Sequence, residues 1–243
     1  MKNNILIPEY NNSGVFIRKT RSFVCRKGRI TMSQLNAIQK YWRLIGIDFQ
    51  LIPLDFSSIF NSSGSVVLEI GFGSGRSLVQ SAINCPNKNF LGIEVYKSGI
   101  GSCLNLAYLS KIKNLKIIYH DATEVINTMI VNNTLSQVQI LFPDPWNKKR
   151  HNKRRILQNN FLTILSKKLI VNGILHIVTD SKEYAIYIIN MIKNINNYKN
   201  LSKTNDFVQS PSNYVITDFE KKAYLRGDRV FHLMFQIKKN YLS

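Results

Sequence analysis

The order of apolar and polar segments predicts an α/β fold with a mostly parallel sheet and helices on both faces. From residue 65 onward, short apolar runs typical of buried strands alternate with amphipathic segments of helical spacing. The first run, SVVLEI, ends in a glycine-rich turn that leads into a helical segment, as in nucleotide-binding βα units. The 243 residues suit one such domain.

The elements follow one another in a regular order along the chain. Strands are expected at residues 65–70, 89–95, 114–120, 137–142, 173–180 and 230–238. Helices are expected at residues 76–84, 98–111, 122–129, 153–170, 182–194 and 218–225. An earlier helix is predicted between Thr31, which can cap its start, and Gly46, which can end it. We expect one domain over residues 31–243, preceded by a basic, partly flexible arm at residues 1–30.

The strongest bulk signal is an excess of positive charge. The chain has 33 Lys and Arg against 14 Asp and Glu, a formal net charge of +19. Such a surplus attracts polyanions, so nucleic acid is the first expected partner and an anionic membrane surface the second. No apolar run is long enough to span a bilayer, and the apolar stretch near the N-terminus is too short for a signal peptide. We therefore expect a cytoplasmic protein without membrane attachment.

The three cysteines, Cys25, Cys85 and Cys103, lie far apart in the sequence. They form no Cys-x-x-Cys pair, and no histidine stands at metal-ligand spacing from them. We expect reduced thiols that pack as small apolar side chains, and no metal site.

The glycine-rich turn Gly71-Phe72-Gly73-Ser74-Gly75 predicts a nucleotide pocket. Gly71 and Gly73 let the backbone turn sharply and approach a ligand, and ligands of such sheets lie beyond the carboxyl ends of the strands. Two cofactors fit the pattern. Dinucleotide enzymes use a related glycine spacing with an acid about twenty residues later, and Glu94 stands there. A carboxylate at that point suits the ribose diol of either cofactor.

Two further acids favour S-adenosylmethionine over a dinucleotide. Glu69 precedes the glycines, where it would crowd a pyrophosphate but could receive the ammonium of a methionine moiety. Asp121 follows the third strand, where it could accept from an adenine amino group. Acids at three successive strand ends fit a cationic cofactor better than an anionic one. The alternative is that single acids only cap helices, as Asp121 can before Ala122.

A rigid loop and a basic run follow the fourth strand. Pro143 and Pro145 flank Asp144, and each proline restricts its own backbone and that of its predecessor. The loop therefore presents one carboxylate and the indole of Trp146 beside the cofactor pocket. The basic run at 148–155 can hold phosphates and stack on an unpaired base. The alternative is a solvated helix start.

These segments resemble the bacterial tRNA (guanine-N7)-methyltransferases. The similarity is carried by FPDPWNKKRHNKRR, RSFVCRKGRITMSQ followed by YW, LEIGFGSG, GIEVYKSG and ITDFEKKAYLRGDRVFHLMF. Along the chain these motifs span residues Arg21 to Phe235 and follow one another in the same order as in the family. The resemblance implies a Rossmann-like class I S-adenosylmethionine-dependent fold with a seven-stranded, mostly parallel sheet that contains one antiparallel strand. It also implies the substrate, guanine 46 in the tRNA variable loop.

The resemblance implies a role for each matching residue. Asp144 matches the catalytic position, and it also matches a cofactor contact together with Glu69, Glu94 and Asp121. The implied substrate contacts are Lys148, Asp180, Thr217, Asp218, Phe219 and Glu220. The implied RNA contacts are Arg150, His151, Asn152, Lys153, Arg154 and Arg155. Family members commonly have Arg-Pro before Thr-x-Phe-Glu and a basic residue in place of Asp218, whereas this chain reads Tyr214-Val215-Ile216-Thr217-Asp218.

The implied chemistry needs no base. Guanine N7 has a lone pair and no proton, so the enzyme must chiefly align the reacting atoms. A fixed carboxylate would stabilise the positive charge that the purine gains, so we expect Asp144 to act electrostatically. Asp180 and Glu220 are expected to bind the N1 and N2 edge of guanine. Asp180 could instead cap a helix, and Thr217 with Glu220 could form a capping box.

Two other functions fit parts of the sequence. A NAD-dependent oxidoreductase would explain the glycine turn and Glu94 but not the basic loop around Asp144. A non-catalytic RNA-binding module would explain the charge, but the four acids at 69, 94, 121 and 144 argue against it. We expect a monomer, with a homodimer as the alternative.

Overall fold

The computed structural model describes residues 10, 13–14, 20–24, 29–204 and 206–238. The strands are β1 (Gly46–Ile47), β2 (Val66–Ile70), β3 (Asn89–Glu94), β4 (Leu115–Tyr119), β5 (Leu135–Leu141), β6 (Leu169–Thr179), β7 (Tyr198–Asn200) and β8 (Phe231–Ile237). The helices are α1 (Met32–Ile45), α2 (Phe56–Phe60), α3 (Arg76–Asn84), α4 (Lys97–Leu109), α5 (Ala122–Thr128), α6 (Asn159–Lys168), α7 (Lys182–Lys193) and α8 (Asp218–Leu225). A 3-10 helix spans Lys149–Arg154.

All strands belong to one sheet with the order β1-β4-β3-β2-β5-β6-β8-β7. Neighbours from β1 to β6 run parallel, and β8 is antiparallel to both β6 and β7. The predicted α/β fold with one antiparallel strand is therefore confirmed. The expected count of seven strands is wrong, because the two residues of β1 add an eighth strand beside β4. Gly46 marks the end of α1, as predicted, but it also begins this short strand.

Most helices begin and end within two residues of the predicted positions. The Thr31 hydroxyl caps α1 by accepting from the Gln34 backbone N–H, and the Gln34 side-chain oxygen accepts in turn from the Thr31 backbone N–H. The helix predicted at residues 153–170 is wrong at its start, whereas its end lies within two residues of the predicted position. Clustered cations oppose the helix dipole at a helix start and repel one another, so residues 149–154 form a 3-10 turn and α6 begins at Asn159. At the other end, Leu169 already belongs to β6.

Apolar layers cover both faces of the sheet. α5, α6 and α7 pack on one face around residues such as Leu68, and α1, α3 and α4 pack on the other around residues such as Val67. All five residues of β2 are buried, as expected for a central parallel strand. No helix in the described part of the chain is both long and apolar enough to cross a membrane. The arm predicted at residues 1–30 lies mostly outside the described residues, as does Cys25.

Gly75 allows the glycine turn to pack against α4. Its φ of +77° lies in the left-handed region, and a Cβ there would stand 2.5 Å from the Cβ of Cys103. Cys103 is fully buried, so it has little room to move away. The turn between β2 and α3 is therefore fixed by backbone conformation and by contact with α4.

A pair of glycine substitutions separates these two effects. Gly227 has the same φ of +77°, but a Cβ there would meet nothing within 4 Å. Both Gly75→Ala and Gly227→Ala should lose about 1–2 kcal/mol of unfolding free energy through left-handed strain. Gly75→Ala should lose a further ~1–3 kcal/mol through overlap with Cys103. Urea unfolding with unchanged m-values measures both, and equal losses would contradict the packing argument.

Candidate active site

A crevice with two chambers lies at the carboxyl ends of the parallel strands. The chambers share a wall formed by Gly71, Gly73, Tyr96, Leu141 and Phe219, and each has a volume of about 390 Å³. The Pro-loop chamber is bordered by His120, Ala122, Pro143, Asp144 and Trp146. The helix-end chamber is bordered by Glu69 and by the first turns of α3, α4 and α8. The crevice therefore lies beside the glycine turn, where the sequence predicted a nucleotide pocket.

Glu69 lies on the floor of the helix-end chamber. It belongs to β2, is 2% exposed, and accepts no hydrogen bond from any residue that the structure describes. Burial and the nearby Glu94 raise the pKa of its carboxyl to about 8. A buried acid without a donor is unfavourable as an anion, and a bound cation would relieve this cost.

Glu94 ends β3 and fixes the glycine turn. One carboxylate oxygen accepts from the Gly73 backbone N–H at 2.8 Å, and the other accepts from Val95 and Tyr96 at 2.6 and 3.0 Å. Burial raises the pKa of this carboxyl, and the three backbone donors partly oppose the shift. Glu94 therefore borders the Pro-loop chamber with backbone donors on both of its oxygens.

Asp121 stands apart from the other three predicted acids. It caps α5 by accepting from Thr123, as the alternative interpretation held, and its second oxygen lies 2.9 Å from Arg21. Its neighbours His120 and Ala122 border the Pro-loop chamber, whereas Asp121 lines neither chamber. The structure thus brings Glu69, Glu94 and Asp144 to the crevice and places Asp121 behind its wall.

Residues 20–24 form part of the wall, a contact that sequence reasoning missed. Ser22, Phe23 and Val24 line the Pro-loop chamber. Arg21 bonds to Asp121 and to Glu124, the latter at 2.7 Å, and the Tyr96 hydroxyl donates to the Val24 carbonyl. We call residues 20–24 the strap. Its only signal in the sequence was the RSFVC match, which gave no position in space.

The loop after β5 presents Asp144 to solvent at the edge of the Pro-loop chamber. Phe142 and Trp146, on either side, have positive φ values of 52° and 47°, which are uncommon outside glycine. The Phe142 N–H donates to Val178, and Arg155 donates to the Pro145 carbonyl, both at 2.7 Å. The loop is therefore anchored on both sides of Asp144.

The basic run divides into outward and inward side chains. Lys148, Lys149, Arg150 and Lys153 are exposed. Arg154 lies over the Trp146 ring at 5.0 Å, and His151 packs edge-on against the same ring. Slight burial and the surrounding cations lower the pKa of His151. Arg155 turns inward, away from this surface, and Asn152 accepts from Gln158 through its backbone carbonyl.

The start of α8 closes the crevice. Thr217 caps the helix by accepting from the Glu220 N–H at 3.1 Å. Asp218 accepts from the Ser74 hydroxyl at 3.2 Å, so it fastens α8 to the glycine turn. Phe219 is 60% exposed and lies between the two chambers, with the Lys222 ammonium 5.8 Å from its ring. These residues therefore border the crevice on the side of α8.

The carboxylates of Glu220 and Asp180 both already have protein partners. Glu220 is 0% exposed and accepts from the Tyr214 and Tyr224 hydroxyls at 2.7 and 2.8 Å. Burial opposes ionisation, but the nearby His232 imidazole and the hydrogen bonds from these hydroxyls outweigh it and lower the pKa of Glu220. Asp180 lies at the surface in an ion pair with Arg226 at 2.9 Å. The helix-cap alternative for Asp180 is wrong, because Ser181 caps α7.

Comparison with known proteins identifies the class and then the family. Residues 63–233 match the family model described as "Putative methyltransferase". The fold is similar to that of the 16S rRNA methyltransferase KamB (TM-score 0.56, 13% identity, 81% of this chain and 99% of that one). A 16S rRNA (adenine(1408)-N(1))-methyltransferase from Catenulisporales acidiphilia, solved with its cosubstrate SAM, is also similar (TM-score 0.51, 14% identity, 80% and 96%). The family model and the fold together define the chain as a methyltransferase with an α/β fold.

Two curated relatives then give the family. The chain is 64% identical to the tRNA (guanine-N(7)-)-methyltransferase of Buchnera aphidicola subsp. Acyrthosiphon pisum (strain Tuc7), over 98% of this chain and 100% of the relative. It is 44% identical to the enzyme of the same name from Salmonella typhi, over 97% and 99%. The chain belongs to the tRNA (guanine-N(7)-)-methyltransferase family.

The raised pKa of Glu69 predicts how stability depends on pH. The folded pKa of about 8 lies above the usual 4.5, so the folded protein keeps a proton that the unfolded chain loses between these values. Without ligand, stability should therefore fall as the pH rises from 4.5 towards 8. Glu69→Gln cannot ionise and should remove this part of the slope. Melting temperatures of both proteins across this range test the prediction, and parallel profiles would contradict it.

Proposed function

We propose that this chain transfers the methyl group of S-adenosylmethionine to N7 of guanine 46 in the variable loop of tRNA. One observation carries the proposal: Glu69, a buried acid that accepts no hydrogen bond from a described residue, shares a crevice with the exposed Asp144, and a basic surface adjoins this crevice. The acid suits a cationic cofactor, the carboxylate suits a base that becomes positive, and the basic surface suits RNA.

The residues of the crevice fit S-adenosylmethionine. A Cβ on Gly71 would meet nothing within 4 Å and one on Gly73 would meet only Phe219, so side chains there would fill space that a ligand needs. Glu69 would receive the ammonium of the methionine moiety. The carboxylate of the methionine moiety would face the first turns of α3 and α4, which have no side-chain caps. A pyrophosphate next to Glu69 would be repelled, which disfavours a dinucleotide.

The other cofactor contacts are assigned to the Pro-loop chamber. Glu94 would accept from the ribose hydroxyls, in addition to its backbone donors. Asp121 would support the adenine site indirectly, because it holds the start of α5 and the strap in place. His120 and Ala122 then form the surface against which the adenine packs.

The side chains of the crevice perform simple chemistry. When bound, S-adenosylmethionine supplies a methyl group on a positively charged sulfur. Guanine N7 has no proton to lose, so no residue must act as a base there. Asp144 lies next to the entering purine and stabilises the positive charge that the ring gains. Pro143, Pro145 and the anchors of the loop hold this carboxylate in place before the reaction, so little energy is spent on orienting it.

Recognition of the guanine edge is assigned to Asp180, which directly follows β6 and lines neither chamber. Asp180 is at the surface and can exchange Arg226 for the N1 and N2 donors of guanine, which adenine lacks. Glu220 would have to leave Tyr214 and Tyr224 to reach the base, so the proposal gives it the task of holding α8. Thr217, Asp218, Phe219 and Lys148 then border the base and its sugar.

The outward cations bind the RNA backbone. Lys149, Arg150 and Lys153 project into solvent beside Asp144, where they can hold phosphates, and His151 and Asn152 lie among them. Arg154 lies over Trp146 and links this surface to the loop. We keep the proposals of a cytoplasmic monomer without metal, with one domain over residues 31–243 and a basic arm before it.

Methylation of defined transcripts tests the activity. The chain, labelled S-adenosylmethionine and unmodified tRNA should yield 7-methylguanosine at position 46 only. A tRNA with adenine at position 46 should bind with similar affinity but accept no methyl group. Label in another nucleoside, or equal labelling of both transcripts, would refute the proposal.

Asp144 should affect turnover far more than binding. Removing one preorganised electrostatic group commonly lowers kcat by about 10²–10³-fold, and we expect this for Asp144→Ala. Asp144→Asn keeps the shape but not the charge, so it should be impaired to a similar degree. Single-turnover rates with saturating tRNA, together with filter binding of tRNA, separate the two quantities. Normal turnover in either variant would remove Asp144 from the mechanism.

A further inference from the structure

Arg155, unlike the other cations of the basic run, contacts two tyrosine rings and a backbone carbonyl. Its guanidinium carbon lies 4.9 Å from the ring centre of Tyr184 and 4.5 Å from that of Tyr187. Its Nε donates to the Pro145 carbonyl at 2.7 Å. Lys153, two residues earlier, is exposed. We call the contact of Arg155 with Pro145, Tyr184 and Tyr187 the Arg155 clamp.

Arg155 is half-buried, and its ring contacts and its Nε bond are made within the protein. Both tyrosines belong to α7, and Tyr184 is almost fully buried, so the stacked guanidinium is held against the protein core. Stacking and a directed N–H bond together need the flat, forked guanidinium. A lysine ammonium carries the same charge but can provide neither the stacking plane nor the Nε donor.

The clamp acts on the loop that presents Asp144. Pro145 follows Asp144 directly, and the loop contains two residues with positive φ, Phe142 and Trp146. Such conformations persist only where surrounding contacts enforce them. The Phe142 N–H supplies one anchor before Asp144, and the Arg155 clamp supplies the other after it.

We infer that Arg155 is a positioning residue for Asp144, and that it does not contribute to RNA binding. The inference rests on the proposed function in one respect, the role of Asp144 in methyl transfer. The Arg155 clamp ties the loop to α7 and thereby sets the place of the carboxylate in the Pro-loop chamber. Misplacement of a reacting group by about 1 Å commonly costs about 10²-fold in rate.

Arg155→Lys is the deciding variant, because it keeps the charge and removes the clamp. It should lower kcat by about 10²-fold at saturating tRNA while leaving the tRNA Kd and its salt dependence unchanged. Lys153→Ala is the matched control from the same run. It should weaken tRNA binding and reduce the slope of log K against log salt by about one. An RNA contact at Arg155 would instead leave Arg155→Lys nearly active and make Arg155→Ala behave like Lys153→Ala.

A readout without activity tests the clamp directly. The chain has two tryptophans, so in a Trp42→Phe background Trp146 reports on the loop alone. Arg155→Lys should increase acrylamide quenching of Trp146, whereas Lys153→Ala should not. Tyr187→Leu removes one of the two rings that stack on Arg155, at a half-buried position. Like Arg155→Lys, it should raise the quenching of Trp146 and lower kcat. This second variant keeps the test valid if Arg155→Lys folds poorly.

The outcomes separate the two proposals. Unchanged Trp146 quenching in both clamp variants, or a loss of tRNA affinity in Arg155→Lys, would overturn the positioning role. If the wild-type chain methylates no tRNA, the proposed function fails, and the quenching result still decides whether Arg155 holds the loop.

Discussion

The crevice of this molecule depends on one unfavourable interaction, the burial of the Glu69 carboxyl group without a hydrogen-bond donor from the described part of the chain. The parallel sheet imposes it, because β2 is central and all of its residues are removed from water. The glycine turn then keeps the space above the acid free of side chains, and Glu94 holds that turn by accepting from the Gly73 backbone N–H. An acid in this setting favours a proton or a bound cation, which is why we propose that the core of the fold itself favours a positively charged ligand.

Local sequence determined the elements whose causes are local. Thr31 with Gln34 and Thr217 with Glu220 cap their helices by bonds within four residues, and both helix starts were predicted correctly. β1 and β7 gave no such signal, because two or three residues become a strand only when a neighbouring strand is present. The helix expected at 153–170 was wrong for a different reason: its pattern included cations whose repulsion and dipole interaction oppose helix formation at that end.

The candidate site shows the same division. Gly71, Gly73, Glu69, Glu94 and Asp144 were placed at the crevice by the rule that ligands lie beyond strand ends. The partners of the other residues could not be read from spacing. Asp121 pairs with Arg21 across 100 residues, and Glu220 pairs with a tyrosine on each side of it and with His232 on β8. A motif marks a residue as important without showing which atoms it touches, and Arg155, inside the basic run, is the clearest case.

The strap has a practical consequence for work with shortened chains. A chain that begins at Thr31 would keep every helix and strand that the structure describes, so its circular dichroism would change little. It would nevertheless lack three residues that line the Pro-loop chamber, and Asp121 and Glu124 would lose the arginine that neutralises them. Trimming the chain to the start of α1 would thus open one side of the Pro-loop chamber to water, and a correctly folded product would be no guarantee of an intact one.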